Sequence, residues 1–315
     1  MKNGKEAVIL GLGYWGRKVL DEYIKLLDSD HLKRLYVFDT DEKLSNFNDN
    51  RIKKIKSLNE IPKEVKYAHV CTPNNSHYEV VKTLLEMGVN TLVEKPITEN
   101  PDEARELLNI SNRRSTLLKV GMVYRFSKAV EKTKNSLYDS IGAPNIIYAN
   151  WLHNIEVPNI VRVMNERDVV WDIGIHLLDI INYLYEDWPN FQYSKGIKSS
   201  SGLNSTFISV GELHNASVVM RSSFISHFKE RRIEIIGEKG NVILDILKNT
   251  VTIGNDDSHT VFSYYDNPLL NEIKSFINDD INEDKRNDAE VGVAEVNILD
   301  QLLKSAHYNL SAVGN

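Results

Sequence analysis

Four side chains in this sequence have the types and spacing for proton chemistry. In Trp171-Asp172-Ile173-Gly174-Ile175-His176-Leu177-Leu178-Asp179, the polar groups Asp172, His176 and Asp179 stand at i, i+4 and i+7 among apolar neighbours. On a helix at about 100° per residue they share an arc of about 60°. A buried helix with one narrow polar stripe must find partners for those groups. A carboxylate one turn from a histidine can orient the ring and stabilise its protonated form, an arrangement suited to general acid–base work. The plainer readings are that Asp172 caps the helix and that His176 is a satisfied core histidine. An Asp-x3-His-x2-Asp metal site is a third reading, but the chemistry has no need of it and no metal is expected. The fourth group is Lys95, in Glu94-Lys95-Pro96 at the end of an apolar run. An amine partly withdrawn from water at such an edge gives up its proton more readily. The alternative is an exposed loop lysine paired with Glu94.

What Lys95 would face follows from Val8-Ile9-Leu10-Gly11-Leu12-Gly13-Tyr14-Trp15-Gly16. An apolar run enters a Gly-x-Gly-x-x-Gly turn, and a helical pattern (Val19, Leu20, Tyr23, Ile24, Leu27) leaves it. Gly11 permits the tight turn, Gly13 lets a pyrophosphate approach the backbone, and Gly16 lets helix and strand pack closely. Tyr14 and Trp15 occupy the variable positions as further cofactor contacts, and the N–H groups at the helix start face an anion. The next strand-like run, Arg34 to Phe38, ends in Asp39, 23 residues beyond Gly16. That is where a carboxylate accepts hydrogen bonds from an adenosine ribose. Thr40 and Asp41 follow, with no arginine to pair a 2′-phosphate, so NAD is expected over NADP; Lys43 leaves NADP open. The turn Thr72-Pro73-Asn74-Asn75-Ser76-His77 converges with Lys95 on the carboxyl edge of the same sheet, where ligands of open α/β folds bind.

The elements that must position these groups alternate between strand and helix as far as residue 123, the sign of a parallel sheet with crossover connections. Short runs at Lys54–Lys56, Tyr67–Cys71, Thr91–Val93 and Thr116–Val120 read as strands. Helices are expected over Asp41–Phe47, from Ser76 (N-cap, with Glu79 completing a capping box) to Gly88, and over Asp102–Asn109 behind Asn100 or Thr98. Beyond residue 123 come a helix from Ala129 to Tyr138, a strand from Asn145 to Trp151 and a loop from His153 to Glu166. A long apolar helix follows over Val169–Tyr185. Four alternating segments, Thr206–Leu213, Ala216–Phe224, Glu230–Ile236 and Asn241–Ile246, then read as a largely antiparallel sheet. Helices over Pro268–Asp279 and Asp288–Ser305 close the chain.

The chain has 315 residues, enough for two domains, with 42% hydrophobic and 26% charged residues. A net charge of −6 argues against a nucleic-acid binder, because phosphate contacts need a basic field. The basic pairs Lys53-Lys54 and Arg231-Arg232 read as solvated faces. No apolar run approaches the ~20 residues needed to cross a bilayer, and no signal-peptide pattern opens the sequence. The single cysteine, Cys71, reads as buried. No membrane association is expected, and the cytoplasm is the expected compartment.

Taken in order, Gly-x-Gly-x-Trp-Gly, Thr72-Pro73-x-x-x-His77, Glu94-Lys95-Pro96, Tyr124-Arg125-Phe126 and Asp172-x-Gly174-x-His176-x-x-Asp179 resemble the glucose–fructose oxidoreductase, inositol dehydrogenase and MocA family. The likeness spans essentially the whole chain, including Ile236-Gly237-Glu238-Lys239-Gly240. Lys128 departs from it, standing where the family often has proline. The resemblance implies a Rossmann domain (1–123), followed by an α/β domain (124–315) whose open, largely antiparallel sheet covers the active site and often mediates oligomerisation, here a homodimer or homotetramer. It implies hydride transfer between NAD(P) and a hydroxyl carbon of a sugar, cyclitol or nucleotide-sugar. On that likeness Lys95 is the catalytic lysine, Asp172 and His176 act at the substrate hydroxyl, and Glu94 and His77 line the cofactor with Thr72, Pro73 and Asn74. Whether Lys95 or His176 accepts the proton stays open. Trp171, Arg162, His153 and Asn154 resemble members acting on nucleotide-sugars; Trp151 lies on the same segment, and Arg125 and Arg162 are the bases that could meet a diphosphate. The alternative from another class is a non-catalytic NAD(P)-binding regulator of the same fold.

Overall fold

The computed structural model describes residues 4–41, 47–154, 169–198, 204–278 and 283–310. The chain forms two compact units: Met1–Val123 with Asn267–Val296, and Tyr124–Asp266 with Asn297–Asn315. A cut at 123/124 thus misses a return of the chain, because Asn267–Val296 belong to the first unit. Arg162, Lys43 and most of the helix expected over Asp41–Phe47 lie outside the described residues, as does nearly all of the loop expected from His153 to Glu166.

In the first unit, β1 (Lys5–Leu10), β2 (Leu32–Phe38), β3 (Ile52–Lys54), β4 (Tyr67–Val70), β5 (Asn90–Glu94) and β6 (Leu118–Gly121) form one sheet in the order β3-β2-β1-β4-β5-β6. Every pairing is parallel. Parallel strands are covered on both faces and so read as unbroken apolar runs, as Ala7-Val8-Ile9-Leu10 does. Helix α1 (Tyr14–Asp28) buries Gly16, Val19, Leu20, Tyr23, Leu26 and Leu27, the spacing of one helical face. That face shares a core with Leu269, Ile273, Phe276 and Ile277 of α6 (Pro268–Asn278), which ties the late segment to this unit.

Two helix ends depart from expectation. Asn100 caps α3 (Pro101–Arg114) by accepting the Asp102 N–H at 2.8 Å. Pro101 opens the helix, acids fill its first turn and Arg113-Arg114 its last, so it outruns Asn109. Ser76 does not cap α2 (His77–Glu86). Its hydroxyl donates instead to Pro73 O (2.7 Å) and Thr72 Oγ1 (2.8 Å), folding the preceding turn on itself.

The second unit holds α4 (Lys128–Ser136), β7 (Pro144–Asn154), α5 (Ile175–Tyr185) and the strands β8 (Asn190–Lys198), β9 (Asn204–Leu213), β10 (Ala216–Ser223), β11 (Ile225–Gly237), β12 (Asn241–Asp245), β13 (Thr250–Gly254) and β14 (His259–Ser263). With β15 (His307–Leu310), which follows α7 (Ala289–Ser305), they make a nine-stranded sheet ordered β14-β13-β12-β11-β7-β10-β9-β8-β15. Pairings are antiparallel except β10 with β7 and β15 with β8. Sequence patterning missed β8, β13, β14 and β15; β13, β14 and β15 are only four or five residues long, and in β8 polar residues fall on both faces. One face buries Ile147, Ala149 and Trp151 of β7, Val218 and Met220 of β10 and Ile233 and Ile235 of β11. Gly174, just before α5, lies so near β10 that a Cβ there would sit 3.0 Å from Ser222 Oγ.

Candidate functional site

Three glycines build the candidate site of the first unit, each for a different reason. Gly11 has φ +92, and a Cβ on it would lie 2.6 Å from Cys71 O. A Cβ on Gly16 would lie 2.0 Å from Gly11 O, so only glycine lets α1 approach the turn. A Cβ on Gly13 meets no protein atom within 4 Å. The fold therefore demands Gly11 and Gly16 but makes no demand at Gly13, which fits a backbone kept bare for a pyrophosphate. Asp39 braces the turn: Oδ2 accepts the Leu12 N–H at 2.5 Å and Oδ1 the Asp41 N–H at 2.8 Å. Tyr14 is exposed, with the Lys18 ammonium 4.4 Å from its ring centre, whereas Trp15 packs partly into the core.

Because β1, β4 and β5 are neighbours in the sheet, their carboxyl ends set Gly11, Thr72 and Lys95 side by side. His77 links the last two. Fully buried, its Nδ1 lies 2.9 Å from Pro96 O and its Nε2 2.9 Å from Thr72 O. Burial pushes its pKa below 6.5, although both carbonyls pull the other way. His77 thus bridges the Thr72 turn and the Lys95 loop, its neutral ring donating its one N–H to one of the two carbonyls. Glu94 is held by a residue the sequence reading passed over: Oε1 lies 3.1 Å from Nε2 of the buried His69. Lys95 is half-buried at the end of β5. Cys71 is half-buried beside them, and burial, with Glu94 and Glu272 nearby, raises its thiol pKa.

Val170–Gly174 is a π-helical turn and the regular helix α5 begins at Ile175, so Asp172 and His176 lie on either side of that change. Asp179 is buried and takes a hydrogen bond from Arg125 Nε at 2.5 Å, while Arg125 Nη2 donates to Asn182 Oδ1 at 2.8 Å. Arg125 is itself buried, so its guanidinium is spent inside the unit and not on a substrate diphosphate. Asp172 is buried one turn before His176. His176 is half-buried in an aromatic box: it stacks on Trp151 with ring centres 4.8 Å apart, and Tyr124 stands edge-on to it at 5.3 Å. Tyr124 is also edge-on to Trp151, and burial raises its pKa against the pull of Arg231.

Arg231 is the correction with most consequence. It stacks on Trp151, its guanidinium carbon 4.4 Å from the ring centre, and is no part of a solvated face. The signal was present as alternation: Arg231 shares a face with the buried Ile233 and Ile235, while Arg232 pairs with Glu234 at 2.8 Å on the other face. Of the remaining expected substrate residues, His153 is half-buried against Phe224, Asn154 is exposed at the end of β7, and Trp171 is wholly enclosed. Among the described residues, His69, Cys71 and Glu94 are the group whose metal-ligating atoms fall within 4.8 Å of one another; the Asp172, His176, Asp179 set is not such a group.

Residues 5–122 match the oxidoreductase family with an NAD-binding Rossmann fold. A UDP-N-acetylglucosamine 3-dehydrogenase of Acidithiobacillus ferrooxidans is 23% identical over 254 residues, 80% of this chain and 78% of that protein. A myo-inositol 2-dehydrogenase of Thermotoga maritima is 21% identical, over 85% of this chain and 86% of its own. Among solved structures, a 3-ketoreductase from Actinomadura kijaniata in complex with NADP and TDP-benzene superposes with a TM-score of 0.85 at 14% identity, covering 98% of this chain and 99% of that one. The bare Gly13, the braced Asp39 and the Glu94-Lys95 strand end all lie within residues 5–122, the segment that matches the oxidoreductase family with its NAD-binding Rossmann fold.

Proposed function

We propose that the protein oxidises a secondary hydroxyl of a sugar, cyclitol or nucleotide-sugar, or reduces the matching ketone, with NAD preferred over NADP. The bare backbone at Gly13, between two glycines that the fold itself requires, carries this reading. The glycine turn, Asp39, the Thr72 turn and Glu94 would hold the dinucleotide, which when bound supplies or accepts the hydride. Lys95 and His176 hold and move the hydroxyl proton. The box of Trp151 and Tyr124 fixes the imidazole plane, which spares the reaction the entropy of orienting it. The carboxylate of Asp39, with Asp41 two residues on, disfavours a 2′-phosphate.

The test is a panel of sugars, inositols and nucleotide-sugars assayed for nicotinamide reduction with each cofactor, beside NADH and NADPH titrations. Lys95→Ala and His176→Ala should keep NADH binding and lower turnover by about 10²–10⁴-fold. NADPH binding as tightly as NADH would remove the cofactor preference. Firm NADH binding with no turnover across the panel would favour a regulator that senses the dinucleotide.

The open sheet also supports a homo-oligomer. Tyr148, Val219, Val210 and Tyr193 are register partners in succession across β7, β10, β9 and β8, on the face opposite Trp151. Tyr148, Val210 and Tyr193 are 38%, 37% and 45% exposed, an apolar row across four strands that a second copy of the same sheet would cover.

A further inference from the structure

Arg231 is a cation on an apolar face. Strand alternation sets it in line with Ile233 and Ile235, and the register of β11 on β7 places it directly across from Trp151. A guanidinium carries five N–H donors in a rigid fork. Among the described residues one donor finds an acceptor, the Tyr124 hydroxyl at a long 3.4 Å from Nη1, and the buried Nε finds none. Among the described residues no carboxylate pairs with Arg231, whereas Arg232, whose Nε is likewise buried without a partner, meets the Glu234 carboxylate through Nη2. A half-buried cation with idle donors costs free energy that a stacking contact alone recovers only in part. The same indole carries His176.

We propose that Arg231 is the anchor for an oxyanion of the substrate, a phosphate or a carboxylate attached to the sugar, received beside Trp151 and Tyr124. This deepens the reading above and rests on it: the substrate is an anionic sugar derivative rather than a neutral sugar or cyclitol. The planar fork suits either oxyanion, since both offer two coplanar acceptors. Tyr124 holds the fork by its hydroxyl while standing edge-on to His176, so one ring links the anchor to the proton-handling group. Arg231 selects and positions the substrate and takes no part in the proton transfer.

Calorimetric titration of the full chain, saturated with NADH to close the dinucleotide site, tests this with UDP, glucuronate and glucose. The wild-type protein should bind one of the two oxyanions at least about tenfold more tightly than glucose; UDP identifies a phosphate and glucuronate a carboxylate. Arg231→Met keeps the apolar stem over Trp151 and should lose about ten- to a hundredfold in that affinity with glucose binding unchanged. Arg231→Lys, which keeps the charge without the fork, should fall between. Unaltered NADH affinity and unfolding midpoint establish that the variants are folded. The proposal is overturned if the wild-type protein binds neither oxyanion more tightly than glucose, or if Arg231→Met keeps the preference and Arg231 only shields the indole. Turnover of neutral sugars with no oxyanion preference would leave the dehydrogenase reading and remove this one. An Arg231-dependent oxyanion site in a protein that turns over nothing would do the reverse.

Discussion

Replacing Arg125 with methionine separates a structural arginine from a substrate-binding one. The side chain keeps its length and apolar stem but loses two short hydrogen bonds, Nε to Asp179 Oδ1 at 2.5 Å and Nη2 to Asn182 Oδ1 at 2.8 Å. Arg125 and Asp179 are 4% and 2% exposed, so water cannot take the lost partner's place. Breaking a buried pair by removing one member strands the other charge and costs about 3–5 kcal/mol. With a urea slope of about 3 kcal/mol per M, the midpoint of the second unit should fall by about 1–1.7 M. Adding Asp179→Leu should recover most of the loss, because the stranded charge goes with it; that recovery in a double-mutant cycle identifies the pair. NADH binding should be untouched in both variants. The reasoning fails if Arg125→Met keeps its urea midpoint and instead raises KM, the behaviour of a residue that meets substrate.

Three other outcomes follow from the geometry. Gly13→Val should fold normally and lose NADH affinity in a fluorescence titration, whereas Gly16→Ala should lose about 1–3 kcal/mol of stability because its Cβ has nowhere to go beside Gly11 O; matching effects of the two would refute the division of roles. Because burial holds His77 below 6.5, the unfolded chain binds that proton first, so the stability it contributes is whole above about pH 6.5 and is lost as pH falls below it; His77→Gln should flatten the drop in unfolding midpoint between about pH 7.5 and 5.5, and parallel curves would count against it. Light scattering at micromolar concentration should give a multiple of the 36.0 kDa chain, and Tyr148→Lys with Val210→Lys should return it to that mass; a single-chain mass for the wild-type protein would exclude the sheet as an interface.

What could be read from sequence and what could not divides by the reach of the interaction. The glycine turn was legible because its three glycines lie within six residues, although the backbone that crowds Gly11 belongs to Cys71, just past β4. The Asn100 cap and the apolar face of α1 were legible for the same reason. Arg125 with Asp179, and Arg231 with Trp151, are 54 and 80 positions apart. No local rule says that the first arginine is consumed by a partner and the second is not. Seen as a dipeptide, Arg231-Arg232 looks like solvent-facing charge. Seen as a strand, its two members must face opposite ways, and Ile233 and Ile235 already say which one turns inward. The strand that turns it inward was thus inferable, but the indole waiting across the register was not. The same holds for α6: Leu269, Ile273, Phe276 and Ile277 mark an apolar face plainly, yet only the folded chain shows that the face closes the core of the first unit. Local pattern tells which side of an element is buried, and tertiary register tells against what. The chemistry of a side chain depends on the second, which is why Arg125, a substrate candidate in the sequence, is held by Asp179, and Arg231, which reads there as solvent-facing charge, stacks on Trp151.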